Sequence, residues 1–170
     1  MSLGFTTALV VPKGMLDIAE RTQTILEKKY GKKVDLIELE VTEFGDGESI
    51  VEIKKTVRLM DIFLLYPMRD PDVNTAYVRF FMTLDALSRA SVGKVIIIAP
   101  YMPFSRQDRK PKPRQPISAK MVAKHIEVEE ETVKGLITFD FHSEQIQGFY
   151  NIPVDNLYGH KPLLAYCRAL

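Results

Sequence analysis

The sequence predicts an α/β protein, an open and mostly parallel sheet with helices on both faces and a small hairpin or flap. Three observations carry this expectation. The short runs Ala8–Val11, Asp61–Tyr66 (apolar after its first residue) and Val95–Ala99 are continuously apolar, as strands covered on both faces are. Segments of helical periodicity stand between them, notably Met15–Tyr30 and Asn74–Ala90. Strand-like and helix-like segments therefore alternate along the chain, the signature of strand–helix–strand units with right-handed crossovers.

The elements follow in order. Ala8–Val11 is the first strand, closed by Pro12, with Lys13-Gly14 as the turn. Met15, Leu16, Ile18, Ala19, Ile25 and Leu26 form the apolar face of a helix that Gly31 stops. Val34–Val41 alternates apolar with charged residues, Glu43–Glu48 is a glycine turn, and Ser49–Ile53 resumes the alternation. Asp61–Tyr66 is a central strand, broken by Pro67–Pro71. Asn74 is the expected cap of the next helix, and Gly93 ends that region before the strand Val95–Ala99. Ser118 is the expected cap of a helix over Ala119–Ile126, and the acidic run Glu127–Glu131 reads as a solvated helix end or turn. Leu136–Phe139 is a further strand, Ile146–Tyr150 and Ile152–Tyr158 are left unassigned, and Pro162–Arg168 begins a last helix.

The chain has 170 residues and a formal net charge of +1, enough for one ordinary domain and no global case for nucleic acid as a partner. A single cysteine, Cys167, excludes an internal disulfide and fits a reducing cytoplasm. No apolar stretch approaches membrane-spanning length, and Met1–Gly4 lacks the features of a signal peptide.

Positive charge is instead local. Pro103–Lys120 carries Arg106, Arg109, Lys110, Lys112 and Arg114 against one acid, Asp108, and its prolines forbid a helix through most of its length. A basic loop after a buried strand is where an α/β sheet would hold phosphate; a solvated charged loop is the alternative. His142 follows the strand ending at Phe139, where a histidine suits a metal or phosphate contact, a proton carrier or a structural role. If the two strands are neighbours, His142 and Arg106 face one crevice. Phe44, Asp46 and Glu48 sit in the glycine turn, which could stack on and bond to a base or simply close a hairpin. His125 and His160 have no second ligand at a telling spacing. The phosphate loop G-x-x-x-x-G-K-[ST], the dinucleotide fingerprint G-x-G-x-x-G and serine or cysteine nucleophile signatures are all missing.

The blocks FGDGE (44–48), TVR (56–58), LDALSRAS (84–91), SRQDRK (105–110), RQPISAK (114–120) and DFHSEQIQGFYNIPVDNLY (140–158) resemble, in this order, the ribose-phosphate diphosphokinase (phosphoribosyl diphosphate synthetase) family. The resemblance implies the type I phosphoribosyltransferase fold, with residues 5–158 as the family's N-terminal domain and 159–170 as the start of the connection to a second domain. It implies transfer of the diphosphoryl group of ATP to ribose 5-phosphate, giving phosphoribosyl diphosphate and AMP in nucleotide biosynthesis, with Mg²⁺. It also implies a homo-oligomer, dimer to hexamer, and inorganic phosphate or ADP as regulators. Position by position, Arg106, Gln107 and Asp108 match the ATP-binding segment, and His142 the histidine at the Mg²⁺–ATP centre, so Arg106 and His142 carry the expected catalytic roles. Phe44, Asp46 and Glu48 match the adenine-binding turn, which a neighbouring subunit supplies. Thr56, Arg58, Arg114, Gln147 and Asp155 resemble the regulatory region.

Gly45 replaces the family's usual serine, Pro111 and Pro113 stiffen the basic loop, and Gln115, Phe141 and Tyr150 also depart from the pattern. The chain is expected to end before the family's ribose 5-phosphate loop and to be inactive alone. The alternative expectation is a non-catalytic regulatory or scaffold homologue that binds nucleotide and assembles with active subunits.

Overall fold

The strands are β1 (Thr7–Pro12), β2 (Asp35–Glu43), β3 (Ser49–Ile53), β4 (Asp61–Leu65), β5 (Lys94–Ala99), β6 (Val133–Phe139) and β7 (Val154–Leu157). The helices are α1 (Leu16–Tyr30), α2 (Val73–Arg89), α3 (Ser118–Ile126) and α4 (His160–Arg168). They belong to a computed structural model that describes residues 6–129 and 131–170. The start of the chain, including the expected boundary at residue 5, and Glu130 of the acidic run lie outside the described residues.

The sheet order is β3-β2-β1-β4-β5-β6-β7. Only the β2–β3 pair is antiparallel, forming the expected hairpin. The remaining pairs are parallel. β1 sits inside the sheet, and its Ala8, Leu9, Val10 and Val11 are all buried. Its alternate residues feed two cores, one on each face. Val10 packs with Ile62, Leu64, Phe80, Leu84, Val122 and Ile126 on the face covered by α2 and α3. Leu9 and Val11 pack with Ala19 and Leu65 on the face covered by α1. Phe80 anchors the larger core, edge-on to Tyr66 with ring centroids 5.3 Å apart. No helix among the described residues is long and apolar enough to cross a membrane.

The structure corrects both expected caps. Asp72, not Asn74, caps α2, and its carboxylate accepts the N–H groups of Asn74 and Thr75 and the Thr75 hydroxyl. Both residue types suit the position; what decides is that Asp72 is extended at φ −143° and can turn its side chain back over the helix start. Ser118 is the first residue of α3, and its hydroxyl is drawn away to Gln107. β6 begins at Val133, three residues before the expected start, because Gly135 does not break it. A Cβ at Gly135 would lie 3.2 Å from Ile96 Cδ1, so the glycine lets the Ile96 side chain pack close to β6. The unassigned stretches become a 3₁₀ helix, Glu144–Phe149, and the edge strand β7, which Pro153 enters while its carbonyl accepts the Leu136 N–H.

Two outcomes follow. The Asp72 carboxyl is held below its ordinary value, first by the Thr75 hydroxyl and then by backbone N–H groups. A depressed folded-state value stabilises fully above the unfolded value and is lost as pH falls through the folded one. The stability difference between the parent and Asp72→Ala in urea melts should therefore be largest at neutral pH and shrink well below the ordinary value of 3.8. Thr138 Oγ1 is buried without a hydrogen-bond partner among the described side chains. Thr138→Val, which removes the unpaired hydroxyl at constant shape, should raise the unfolding free energy by about 1 kcal/mol in the same melts.

Candidate functional site

β5 and β6 are neighbours, and Ala99 lies beside Thr138, so their carboxyl ends finish level. The loops that leave them share one cavity of about 590 Å³. Arg106 and Gln107 line it from the β5 side, Asp140 and His142 from the β6 side. The structure thus brings Arg106 and His142 together in one crevice. Arg69, on the loop after β4, and Tyr101, just past β5, complete the wall. The sequence reading did not single out either one. The rule that ligands sit beyond strand ends, applied to Asp61–Tyr66 as it was to Val95–Ala99, would have found Arg69.

Local bonding sets each side. On the β5 side the Ser105 hydroxyl donates to the Met102 carbonyl at 2.9 Å, and the Gln107 N–H to the Phe104 carbonyl at 2.9 Å. Phe104 takes a left-handed φ of 60°, and its ring packs edge-on to Tyr77 of α2 with centroids 5.5 Å apart. Gln107 is tied to the start of α3 twice: Ser118 Oγ donates to its side-chain carbonyl at 2.5 Å, and the Ala119 N–H to its main-chain carbonyl at 3.1 Å. Its side-chain amide N–H groups remain for a ligand. Burial pushes the Tyr77 phenol up to about 12, so it stays protonated beside His125 Nδ1, 2.7 Å away. His125 thereby serves the α2–α3 packing.

On the β6 side Asp140 is left-handed, φ 44°. Three bonds to β7 and the residues after it hold the turn. The Asp140 N–H donates to the Leu157 carbonyl, the Phe141 N–H to Asn156 Oδ1, and the Gly159 N–H to Asp140 Oδ2 at 3.0 Å. A Cβ on Gly159 would come within 2.7 Å of that carboxylate oxygen, so a side chain there would push the Asp140 carboxylate out of this position. His142 stands exposed at the mouth. Asp108 lies half-buried behind Arg106, with Oδ2 2.9 Å from Ser143 Oγ.

The remaining candidates lie elsewhere. Phe44, Asp46 and Glu48 form an exposed turn beyond β2, closed by the Phe44 N–H to the Glu48 carbonyl and by the Glu48 N–H to Asp46 Oδ1. β1 and β4 separate β2 from β5, roughly 14 Å of sheet width, so one chain does not bring this turn to the cavity. Thr56 and Arg58 are exposed on the loop entering β4, at the opposite end of the parallel strands from the basic loop that leaves β5. Arg114 is exposed with φ 63°, Gln147 bonds the Glu144 carbonyl, and Asp155 is exposed on β7. These five do not converge within the chain.

Among the described residues no group of three or more His, Cys, Asp or Glu side chains could hold a metal ion. The cavity offers the Asp140 carboxylate and the His142 imidazole. That pair cannot cage a cation, but it fits Mg²⁺, which keeps its waters and takes phosphate oxygens.

Because Ser118 Oγ–Gln107 Oε1 holds the loop, Ser118→Ala should leave helix content unchanged and cost about 1 kcal/mol. Hydrogen exchange at the Arg106 and Gln107 amides should rise; unchanged exchange would mean that the main-chain bond to Ala119 suffices.

A family model described as the N-terminal domain of ribose phosphate pyrophosphokinase matches residues 14–129. The ribose-phosphate pyrophosphokinase of Thermotoga maritima is 43% identical over 143 residues, 84% of this chain and 42% of that protein. Ribose-phosphate pyrophosphokinase A of Dictyostelium discoideum is 40% identical over 128 residues, 75% of this chain and 40% of that protein. The crystal structure of phosphoribosylpyrophosphate synthetase from Mycobacterium smegmatis superposes with a TM-score of 0.80 at 29% identity, over 95% of this chain and 51% of that one. The chain spans about four-tenths of the length of these curated relatives. A match over most of its length, and a sheet that superposes on a solved member, establish that the chain belongs to the family of ribose-phosphate pyrophosphokinase N-terminal domains.

Proposed function

We propose that this chain is the nucleotide-holding half of an enzyme that moves the diphosphoryl group of ATP to ribose 5-phosphate. The observation that carries the reading is the convergence of Arg106 and His142 on one cavity at the level ends of two parallel strands. The 1-hydroxyl oxygen of the sugar attacks the β-phosphorus, the bond from that phosphorus to the bridging oxygen breaks, and AMP leaves with the bridge as the hydroxyl proton is released. Catalysis of this kind is positioning and charge neutralisation, without a protein nucleophile.

Arg106 supplies a planar cation for phosphate oxygens. The Gln107 side-chain amide donates beside it. Asp140 and His142 are the residues that would hold Mg²⁺ shared with the phosphates. When bound, the ion neutralises phosphate charge. Phe44, Asp46 and Glu48 lie too far along the sheet to serve their own chain's cavity, which supports an oligomer in which they close a neighbour's adenine site. Thr56, Arg58, Arg114, Gln147 and Asp155 remain in the proposal as nucleotide or regulatory phosphate contacts of the assembled protein, and Asp108 stays in it as part of the ATP-binding segment that carries Arg106. The ribose 5-phosphate side belongs to a second domain of the kind the longer relatives have room for, following the connection that starts near residue 159. A soluble enzyme of the cytoplasm fits the single exposed Cys167.

Arg106→Ala should weaken Mg–ATP binding by about one to two decades in a calorimetric titration of this chain. Arg106→Lys should recover only part, because the two-point contact is lost. Unchanged affinity in both would reduce the loop to solvated surface. The second arm is AMP release with saturating ATP, Mg²⁺, inorganic phosphate and ribose 5-phosphate. Sugar-dependent release by the chain alone would overturn the assignment of the sugar site to a second domain.

A further inference from the structure

We infer that Asp108 and Ser143 form a latch between the two loops that line the cavity, and that both act as positioning residues for Arg106 and His142 rather than as ligand contacts. The inference rests on the nucleotide reading above for its purpose, but not for its structural basis. Ser143 Oγ donates to Asp108 Oδ2 at 2.9 Å, between residues 35 apart in sequence. Asp108 is on the loop from β5, two places after Arg106. Ser143 is on the turn from β6, directly after His142.

Each partner forgoes a nearer bond to make this one. Ser143 occupies the N-cap of the 3₁₀ helix Glu144–Phe149 with extended backbone, φ −149° and ψ 142°, the conformation in which a serine ordinarily caps its own helix. It makes no cap bond. Asp108 is surrounded in sequence by Arg106, Arg109 and Lys110, yet none of the ion pairs among the described residues includes it. A carboxylate that ignores three neighbouring cations and a serine that ignores its own helix are both directed across the gap between the loops. Both residues are half-buried, where a hydroxyl–carboxylate bond is less diluted by water than at an open surface.

The mechanical consequence follows from the other anchors. The β6 turn is fixed from behind by β7, through Asn156 and Leu157. Gln107 is fixed from the side by α3, through Ser118 and Ala119. The latch joins these two supported pieces at the residues next to His142 and Arg106, which makes the separation of the two ligand-facing groups a property of the fold. Without it, the segment that carries Arg106 keeps its own turn bonds and its anchors to α2 and α3, but loses this tie to the β6 turn.

The test is a double-mutant cycle on the 170-residue chain with two readouts. The first is amide hydrogen exchange without nucleotide. Ser143→Ala should speed exchange at Arg106–Asp108, and Asp108→Ala at His142 and Ser143, each change reaching into the other loop. Ser143→Thr, which keeps the hydroxyl, should restore the parent rates. The second readout is Mg–ATP affinity. Each alanine variant should weaken it by about three- to tenfold, the double variant should be no worse than the poorer single one, and Ser143→Thr should recover the parent value. Exchange confined to the mutated loop overturns the latch whether or not nucleotide binds. Coupled exchange with additive or absent effects on affinity, in a parent that binds, overturns the positioning role. A parent that binds no nucleotide defeats the proposed function, while the exchange arm still decides the latch.

Discussion

The parallel pairing of β5 with β6 is the constraint on which the rest of the site depends. Ala99 stands beside Thr138, so both chains leave the sheet at the same height and their loops must share the space beyond it. At Gly135 the absence of a side chain lets the Ile96 side chain fit closely against β6. β7 completes the arrangement. As an edge strand it has little core to contribute, but its Asn156 and Leu157 hold the turn that carries Asp140 and His142. The cavity is thus bounded by main-chain geometry first and by side-chain chemistry second.

The two walls are built by different means. The β6 turn is short and held mostly by main-chain donors, with a left-handed Asp140 kept in place by Leu157 and Gly159. The β5 loop is long, rich in proline and held by side chains: Ser105 to Met102, Ser118 to Gln107, Ser143 to Asp108. Such a division leaves the basic loop as the more adjustable wall, since single hydroxyl bonds are worth little individually. Apolar packing supplements them, with Phe104 lodged against Tyr77 and the α2–α3 contact.

Distance along the sheet separates two groups of residues that one resemblance joins. Arg106 and His142 meet at β5 and β6, while Phe44, Asp46 and Glu48 sit beyond β2, with β1 and β4 between. Strands spaced by their hydrogen bonds keep that turn and the cavity apart within one chain.

The sequence by itself determined the class of fold and most of its elements. Buried strands such as Asp61–Tyr66 are legible because both faces must be apolar, and amphipathic helices because one face must be. It also marked Arg106 and His142 as candidates, since ligands sit beyond the carboxyl ends of strands in such sheets, while a solvated loop and a structural histidine stayed open as alternatives. What it could not settle were choices between equivalent local partners. Asn74 and Asp72 are both good caps, and backbone direction at Asp72 selected one. Ser118 looks like a helix cap, and Ser143 occupies the cap position of a 3₁₀ helix, yet the structure turns their hydroxyls to Gln107 and Asp108, residues distant in sequence. β7 was hidden because four residues on a sheet edge need no apolar pattern; their strand pairing with β6 defines them. Periodicity and burial are local averages that the chain carries in its composition. A hydrogen bond of a single hydroxyl is a choice among acceptors, and only the packed tertiary structure brings the distant acceptors within reach.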